Sequence, residues 1–201
     1  MRLNELKAVV NHLKKFKYIK KARRVEDNTL ELIFDKENSY FFNMKRGESF
    51  IYKSSSNRPP KDYNAPFDTL LHSLISQSEI IDISLVNGDR VLKIRLLSKK
   101  SYKKKEVSIQ FEFTGKNTNI ILLDENNIII EALRHIDQDS SFRVVRPNIK
   151  LQDLPPPPKK FKEEDLNIDI DTLLERKFRE YEERKIVRLK KQKLSIVSKK
   201  R

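Results

Sequence analysis

The chain has 201 residues, with 43 Lys and Arg against 29 Asp and Glu, a formal net charge of +14, and no cysteine. That length suits one well-filled core with an appendage, and the missing cysteines exclude disulfides and thiolate zinc sites. The charge points to polyanionic partners: nucleic acid first, through counterion release from phosphates, and an anionic membrane surface second.

The first residues, MRLNELKAVVNHLKKFKYIKK, are charged throughout and contain no apolar signal core. No apolar run approaches the ~20 residues of a membrane helix, so a soluble cytoplasmic protein is expected, with no membrane partner.

Within that segment Leu3, Leu6, Val9, Val10, Leu13 and Phe16 recur at helical spacing, which predicts a helix over 3–16. YIKKARRV, NTLELIFD, SYFFNMK and SFIYKSS follow as strands, with turns at Asp27-Asn28 and at Lys36–Asn38. A polar loop, 54–64, leads into APFDTLLHSLISQ (65–77). This reads as a second helix with Pro66 in its first turn.

Strands then resume as EIIDISLV, RVLKIRLLS, EVSIQFEFT, NIILLD and NIIIEAL. Asn87-Gly88 and Glu125–Asn127 read as turns between some of them. In EVSIQFEFT, Val107, Ile109, Phe111 and Phe113 alternate with Ser108, Gln110 and Glu112. The expected fold is α+β: two antiparallel β-meanders, each preceded by a helix, in two packed layers.

LPPPPKKF (154–161) reads as a stiff linker and the clearest boundary. It gives a domain at 1–160 and the start of a charged helical arm at 161–201. Residues 162–183 hold nine acids and four bases; 184–201 hold nine bases and no acid. That order suits the dipole of one long helix. Glu175–Arg179 and Glu180–Arg184 are spaced as i,i+4 pairs, and Leu174, Phe178 and Tyr181 form a short apolar stripe. The chain stops while still charged and helical, as a piece of a longer protein would.

Catalytic motifs are missing. His12, His72 and His135 match no metal-ligand spacing, and no nucleophile elbow, phosphate-binding loop or dinucleotide fingerprint occurs. Neither catalytic residues nor a metal or cofactor are expected.

Asp89-Arg90 differs from the other charged turns. By alternation Arg90 shares a face with Leu92, Ile94 and Leu96, at the rim of the apolar face, while Asp89 takes the opposite face. A guanidinium there can clamp a phosphate, and the carboxylate can orient it. Lys99, Lys100, Lys103, Lys104 and Lys105 flank Ser101 and Tyr102 in a basic loop able to steer a polyanion. Arg134, Arg143 and Arg146 could contact a nucleic-acid backbone, whereas Phe142 is expected to pack.

The segment EFTGKNTNIILLDENNIIIEALRHI (112–136) resembles the NFACT-N domain of the RqcH/NEMF family, also known as the fibronectin-binding protein A N-terminal domain. The carrying pattern is Gly115, Lys116, Asn117, Thr118, then Asn119-Ile-Ile-Leu-Leu-Asp124. PFDTLLHSLISQSEIIDISLVNGDRVLKI resembles the family's helix, strand and Asp-Arg hairpin. FRVVRPNIKLQDLPPPP resembles its Arg-containing stretch and proline-rich exit. The likeness runs in order over about 1–160.

The resemblance implies ribosome-associated quality control: binding of the large ribosomal subunit carrying an obstructed peptidyl-tRNA, recruitment of tRNA (alanyl-tRNA in the bacterial case) and template-free C-terminal tailing. It makes Asp89, Arg90, Lys116, Asn119 and Arg143 the candidate tRNA-binding residues.

There are departures. The family's Gly-Gly-Arg-Ile is replaced by Phe16-Lys17-Tyr18-Ile19, and its Arg-Lys pair by the surroundings of Leu71-His72. Its helix-hairpin-helix module is missing after the proline-rich exit. LLERKFREYEERKIVRLKKQK (173–193) resembles the family's first coiled-coil segment instead. The fold also looks like the N-terminal domain of formamidopyrimidine-DNA glycosylases, but Arg2 stands where their catalytic proline would, so a DNA-binding domain without catalysis is the expectation on that side. The family's other name leaves an adhesin for fibronectin or fibrinogen as a further alternative.

Overall fold

The computed structural model describes residues 1–55, 61–99, 104–156 and 169–199. The proline-rich linker from 157 on, Lys100, Lys103 and Tyr102 lie outside them.

In chain order the elements are α1 (Leu3–Leu13), β1 (Tyr18–Glu26), β2 (Thr29–Phe34), β3 (Ser39–Asn43), β4 (Phe50–Tyr52), α2 (Pro66–Leu70), β5 (Ser78–Leu85), β6 (Val91–Ser98), β7 (Lys105–Glu112), β8 (Asn119–Asp124), β9 (Ile129–Ala132) and α3 (Ile170–Lys199). The fold is the expected α+β. The first helix buries the face its spacing predicts: Leu3, Leu6, Val9, Val10 and Leu13 of α1 all point inward. The second helix changes pitch partway. After Leu70 it widens into one π turn, Leu71–Ile75, and Phe67, Leu71 and Ile75 are its buried positions.

The two meanders are one hydrogen-bonded sheet of nine strands, ordered β4-β3-β2-β1-β5-β6-β7-β8-β9. Among the described residues the strand pairing between them is two residue pairs, Tyr18 with Glu79 and Ile19 with Ser78. In a flat sheet β3 and β7, five places apart, would be separated by about 24 Å. Instead the rings of Phe42 on β3 and Phe111 on β7 stack with centroids 4.2 Å apart. The sheet is therefore folded over, and its halves share one core with α1.

The alternation in β7 does not mark a solvent face. Ser108, Gln110 and Glu112 are as buried as their apolar neighbours. A second, smaller core covers that side, made of Ile121, Leu123, Ile129, Ala132, Ile136, Val145 and Leu151. Arg143, expected to reach nucleic acid, is 2 % exposed. Its Nη2 donates to Glu112 Oε2, which is itself fully buried, and its Nη1 donates to the Gln152 carbonyl at 2.9 Å. The pair fastens the 143–152 segment over β7.

α3 packs on the open edge of the sheet. Leu174 enters the main core, Phe178 stacks on Tyr52 at 5.0 Å, and Tyr181 meets Phe50 at 5.3 Å. Glu180 is 3.9 Å from Arg176, and Arg184 turns to Glu48 at 3.9 Å. At the helix start the Tyr40 hydroxyl donates to Asp171 at 3.0 Å, and His12 Nε2 lies 2.9 Å from that hydroxyl. Burial, then Lys15, holds His12 below its usual value. Burial would raise Asp171, but hydrogen bonds from Lys53 and Tyr40 outweigh it and hold the carboxyl low.

Removing one partner of the buried ion pair strands the other charge. Arg143→Ala should cost about 3–5 kcal/mol in urea unfolding, while replacing Glu112 and Arg143 together by Leu and Met should cost much less. Acid should loosen the α3 contact in two steps. A histidine with a lowered folded pKa binds fewer protons folded than unfolded, so stability falls as pH drops through the usual histidine value. The Asp171 contribution is present above the usual carboxylate value and is lost as pH falls through its lower folded value. His12→Gln should therefore flatten the decline in melting temperature between about pH 7 and pH 5, where histidine titrates.

Candidate nucleic-acid interface

The β5–β6 hairpin turns at Asn87 and Gly88, both in the left-handed region with φ of 53° and 65°. This is the backbone that an Asn-Gly turn favours. Val86 N–H donates to the Val91 carbonyl at 2.9 Å and closes it. Beyond the turn, Asp89 Oδ1 accepts the backbone N–H of Arg90 at 2.6 Å, and the Arg90 carbonyl accepts from Phe113 N–H at 2.8 Å. The Arg90 backbone is thus held from both sides.

The two side chains diverge, as alternation requires. Leu92, Ile94 and Leu96 are fully buried on the Arg90 face. Asp89 lines a small crevice with Gln110, Glu112 and Asp153. Arg90 enters a separate open pocket of about 290 Å³, whose walls include Met1, Glu48, Phe113, Gly115, Lys177 and Arg184. The carboxylate therefore positions the arginine through its backbone. Arg90 Nε is buried and has no hydrogen-bond partner among the described residues. An unpaired charged donor is costly to bury, and the same guanidinium lines the open pocket, where a charge-assisted bond to an anion is chemically possible.

The other charges in the pocket are largely engaged. Glu48 takes both terminal nitrogens of Arg188 at 2.8 and 2.9 Å. Those bonds hold its carboxyl below the usual range against the opposing effect of burial. Lys177 pairs with Glu5 at 2.9 Å, and the Met1 amine donates to the Ser49 carbonyl at 2.9 Å. Burial, then Lys177, lowers that amine's pKa. The α3 wall of this pocket was not legible in the sequence, because it comes from residues nearly ninety positions away.

The remaining candidates divide. Lys116 is exposed on the short turn after β7, beside Gly115 of the pocket wall. Asn119 is fully buried. Its Oδ1 accepts from the Ile120 and Arg134 N–H groups and its Nδ2 donates to the Arg134 carbonyl, so it braces the β8–β9 region and does not reach a ligand. Arg143 is likewise structural. Arg134 donates to the Thr118 and Met44 carbonyls and to Asn28, tying the two sheet halves. Arg146 makes a bidentate pair with Asp137 at 2.8 Å. Phe142, expected to pack, is 57 % exposed. Of the basic loop, Lys99, Lys104 and Lys105 are exposed, at the far end of β6 from Arg90.

Three solved structures share this fold. The crystal structure of the N-terminal domain of fibronectin-binding protein PavA from Streptococcus pneumoniae matches at 20% identity and TM-score 0.67, covering 79% of this chain and 64% of that one. The N-terminal part of the fibronectin/fibrinogen-binding protein from Streptococcus suis matches at 20% identity and TM-score 0.69, covering 77% and 61%. The fibrinogen-binding protein from Staphylococcus aureus matches at 21% identity and TM-score 0.64, covering 80% and 59%. The chain thus spans about three-fifths of each of those structures. No curated protein matches. The family profile of NFACT N-terminal and middle domains matches residues 4–199, nearly the whole chain. With that span matched and the fold shared, this chain belongs to the NFACT family.

Proposed function

We propose that this chain is the tRNA-binding part of a ribosome-associated quality control factor. It holds tRNA, alanyl-tRNA in the bacterial manner, on large ribosomal subunits that carry an obstructed peptidyl-tRNA. In this reading it contributes binding alone, in the cytoplasm, and any peptide-bond chemistry in template-free tailing belongs to the ribosome.

The observation that carries the reading is Arg90: a guanidinium in an open pocket, its backbone clamped on both sides and its buried Nε unpartnered among the described residues. A phosphate oxygen in the pocket takes a charge-assisted bond from the Arg90 guanidinium, and exposed Lys116 adds a second contact on the rim. The net charge of +14 favours long-range attraction to RNA. Membership of the NFACT family supports the partner class.

A second reading follows from the names of the three similar structures: fibronectin or fibrinogen binding by the same basic surface.

Arg90→Ala should leave the urea midpoint unchanged and lower tRNA co-sedimenting with large subunits by about tenfold, the cost of one lost arginine contact. Unchanged tRNA in the variant would overturn the assignment of Arg90. Binding of the wild type to immobilised fibronectin but not to tRNA, at matched salt, would favour the second reading. Competition by duplex DNA as strong as by tRNA would favour a glycosylase-like DNA binder.

A further inference from the structure

We infer that the chain carries a second RNA site, for single-stranded RNA, centred on Tyr18 at the opposite end of the sheet from Arg90. It rests on the RNA-binding reading only for its class of ligand; its residues are separate. The site is assembled by topology. Tyr18 at the start of β1 lies opposite Glu79 of β5, and Glu79 lies opposite Leu97 of β6. That register sets the start of β1 level with the end of β6, where Lys99, about eighty positions away, lies against the Tyr18 ring. Lys17 adjoins Tyr18 in the chain, and exposed Lys104 and Lys105 begin β7 at the same end of the sheet, two strands beyond β5. The patch therefore forms only where the two sheet halves join.

Three features distinguish it from an ordinary solvated charge run. Tyr18 is 39 % exposed, with Lys99 Nζ 4.6 Å from its ring centroid. Its backbone is fixed: Asp35 Oδ1 accepts the N–H groups of Lys17 at 3.1 Å and Tyr18 at 3.4 Å, and Ile80 N–H donates to the Lys17 carbonyl at 2.8 Å. Asp35 is thereby committed to backbone hydrogen bonds. On β5, two residues beyond the Glu79 that pairs with Tyr18, Ile81 sits at the register shift and is 44 % exposed, adding apolar surface.

An exposed aromatic ring among lysines is the chemistry of sequence-tolerant single-strand binding: the ring stacks on a base and the ammonium groups follow the backbone. A base that takes the Tyr18 ring displaces Lys99 onto the adjoining phosphate. Arg90 and Lys99 bracket the eight-residue β6, so the two sites lie about 30 Å apart at ordinary strand rise. One protein could then hold a tRNA at one end and an unpaired RNA segment at the other.

The test uses the full chain and a radiolabelled oligouridylate of about 16 nucleotides, the upper end of single-domain site sizes. Ultraviolet crosslinking with peptide mass spectrometry should place the crosslink on the Tyr18 peptide. Tyr18→Ala should weaken binding about tenfold, while Tyr18→Phe should retain it. Lys17→Gln, Lys99→Gln and Lys104→Gln together should reduce the slope of log affinity against log salt by about 2, at about 0.7 per phosphate contact. Arg90→Ala should leave the crosslink in place, so failure of the tRNA reading and failure of this one are separable. A crosslink elsewhere, or an unchanged salt slope in the folded triple variant, would overturn the site. So would loss of binding to phosphatidylserine vesicles in the triple variant with its RNA affinity intact, which would make the patch a membrane surface.

Discussion

Two residue pairs hold the halves of this sheet in one array, and the rest of the architecture follows from how little that join demands. After Ile19, β1 leaves β5. Its edge is satisfied instead by the turn before β5: Ala22 N–H donates to Ser76 Oγ at 3.0 Å and Gln77 N–H to the Lys20 carbonyl at 3.2 Å. A continuous nine-strand ladder would leave both apolar faces needing separate covers. A narrow hinge lets one half fold onto the other, so the faces cover each other and Phe42 reaches Phe111. Arg134 closes the arrangement at the other end, with bonds to Thr118 on one side and to Met44 and Asn28 on the other. The hinge and this staple together fix where the strand ends lie, and so where both charged surfaces lie.

The same frame sorts the cations. Most arginines described here are tied to carboxylates or carbonyls: Arg23 to Glu31, Arg24 to Asp68, Arg95 to Glu106, Arg143 to Glu112, Arg146 to Asp137 and Arg188 to Glu48. A planar fork suits such fixed pairing. Arg90 departs from this pattern, because its only carboxylate neighbour in sequence accepts its backbone N–H and turns to the other face. Several lysines stay exposed on their flexible stems. Much of the positive charge therefore lies on lysines with flexible stems, while most of the described arginines hold the fold.

Strand positions, turns and the inward faces of the first helices were readable because they depend on neighbours two to four places apart. The Asn87-Gly88 turn and the opposite facing of Asp89 and Arg90 are local facts of this kind. What could not be read were contacts set by the fold-over. Glu112 alternates like a solvent-facing residue, and its face becomes an interior only once the second core, with the 143–152 segment thirty positions on, closes over it. Asn119 and Arg143 were candidates through the family resemblance, and both are buried: Asn119 bonds to the backbone of Ile120 and Arg134, and Arg143 to Glu112 and the Gln152 carbonyl. Phe142, beside Arg143, was drawn to the core by its apolarity in the sequence reading, but anchoring Arg143 inward leaves the neighbouring side chain outside.

α3 both packs on the sheet edge and walls the pocket that Arg90 lines. Its acid-first, base-last order does more than suit a helix dipole. Asp171 near the start meets Lys53 and Tyr40, while Arg184 and Arg188 further along meet Glu48. The helix is therefore laid on the sheet edge with opposite charges matched at two separated places, with Leu174, Phe178 and Tyr181 between them. That placement fixes its direction: reversing it would set acid against acid at Glu48. Only in this direction do Lys177 and Arg184 face the pocket that holds Arg90. Past Arg188, Leu189, Leu194 and Ile196 are exposed among lysines. The element that looked from its sequence like a separate arm is, over its first half, a wall of the open pocket that Arg90 lines at the end of its hairpin.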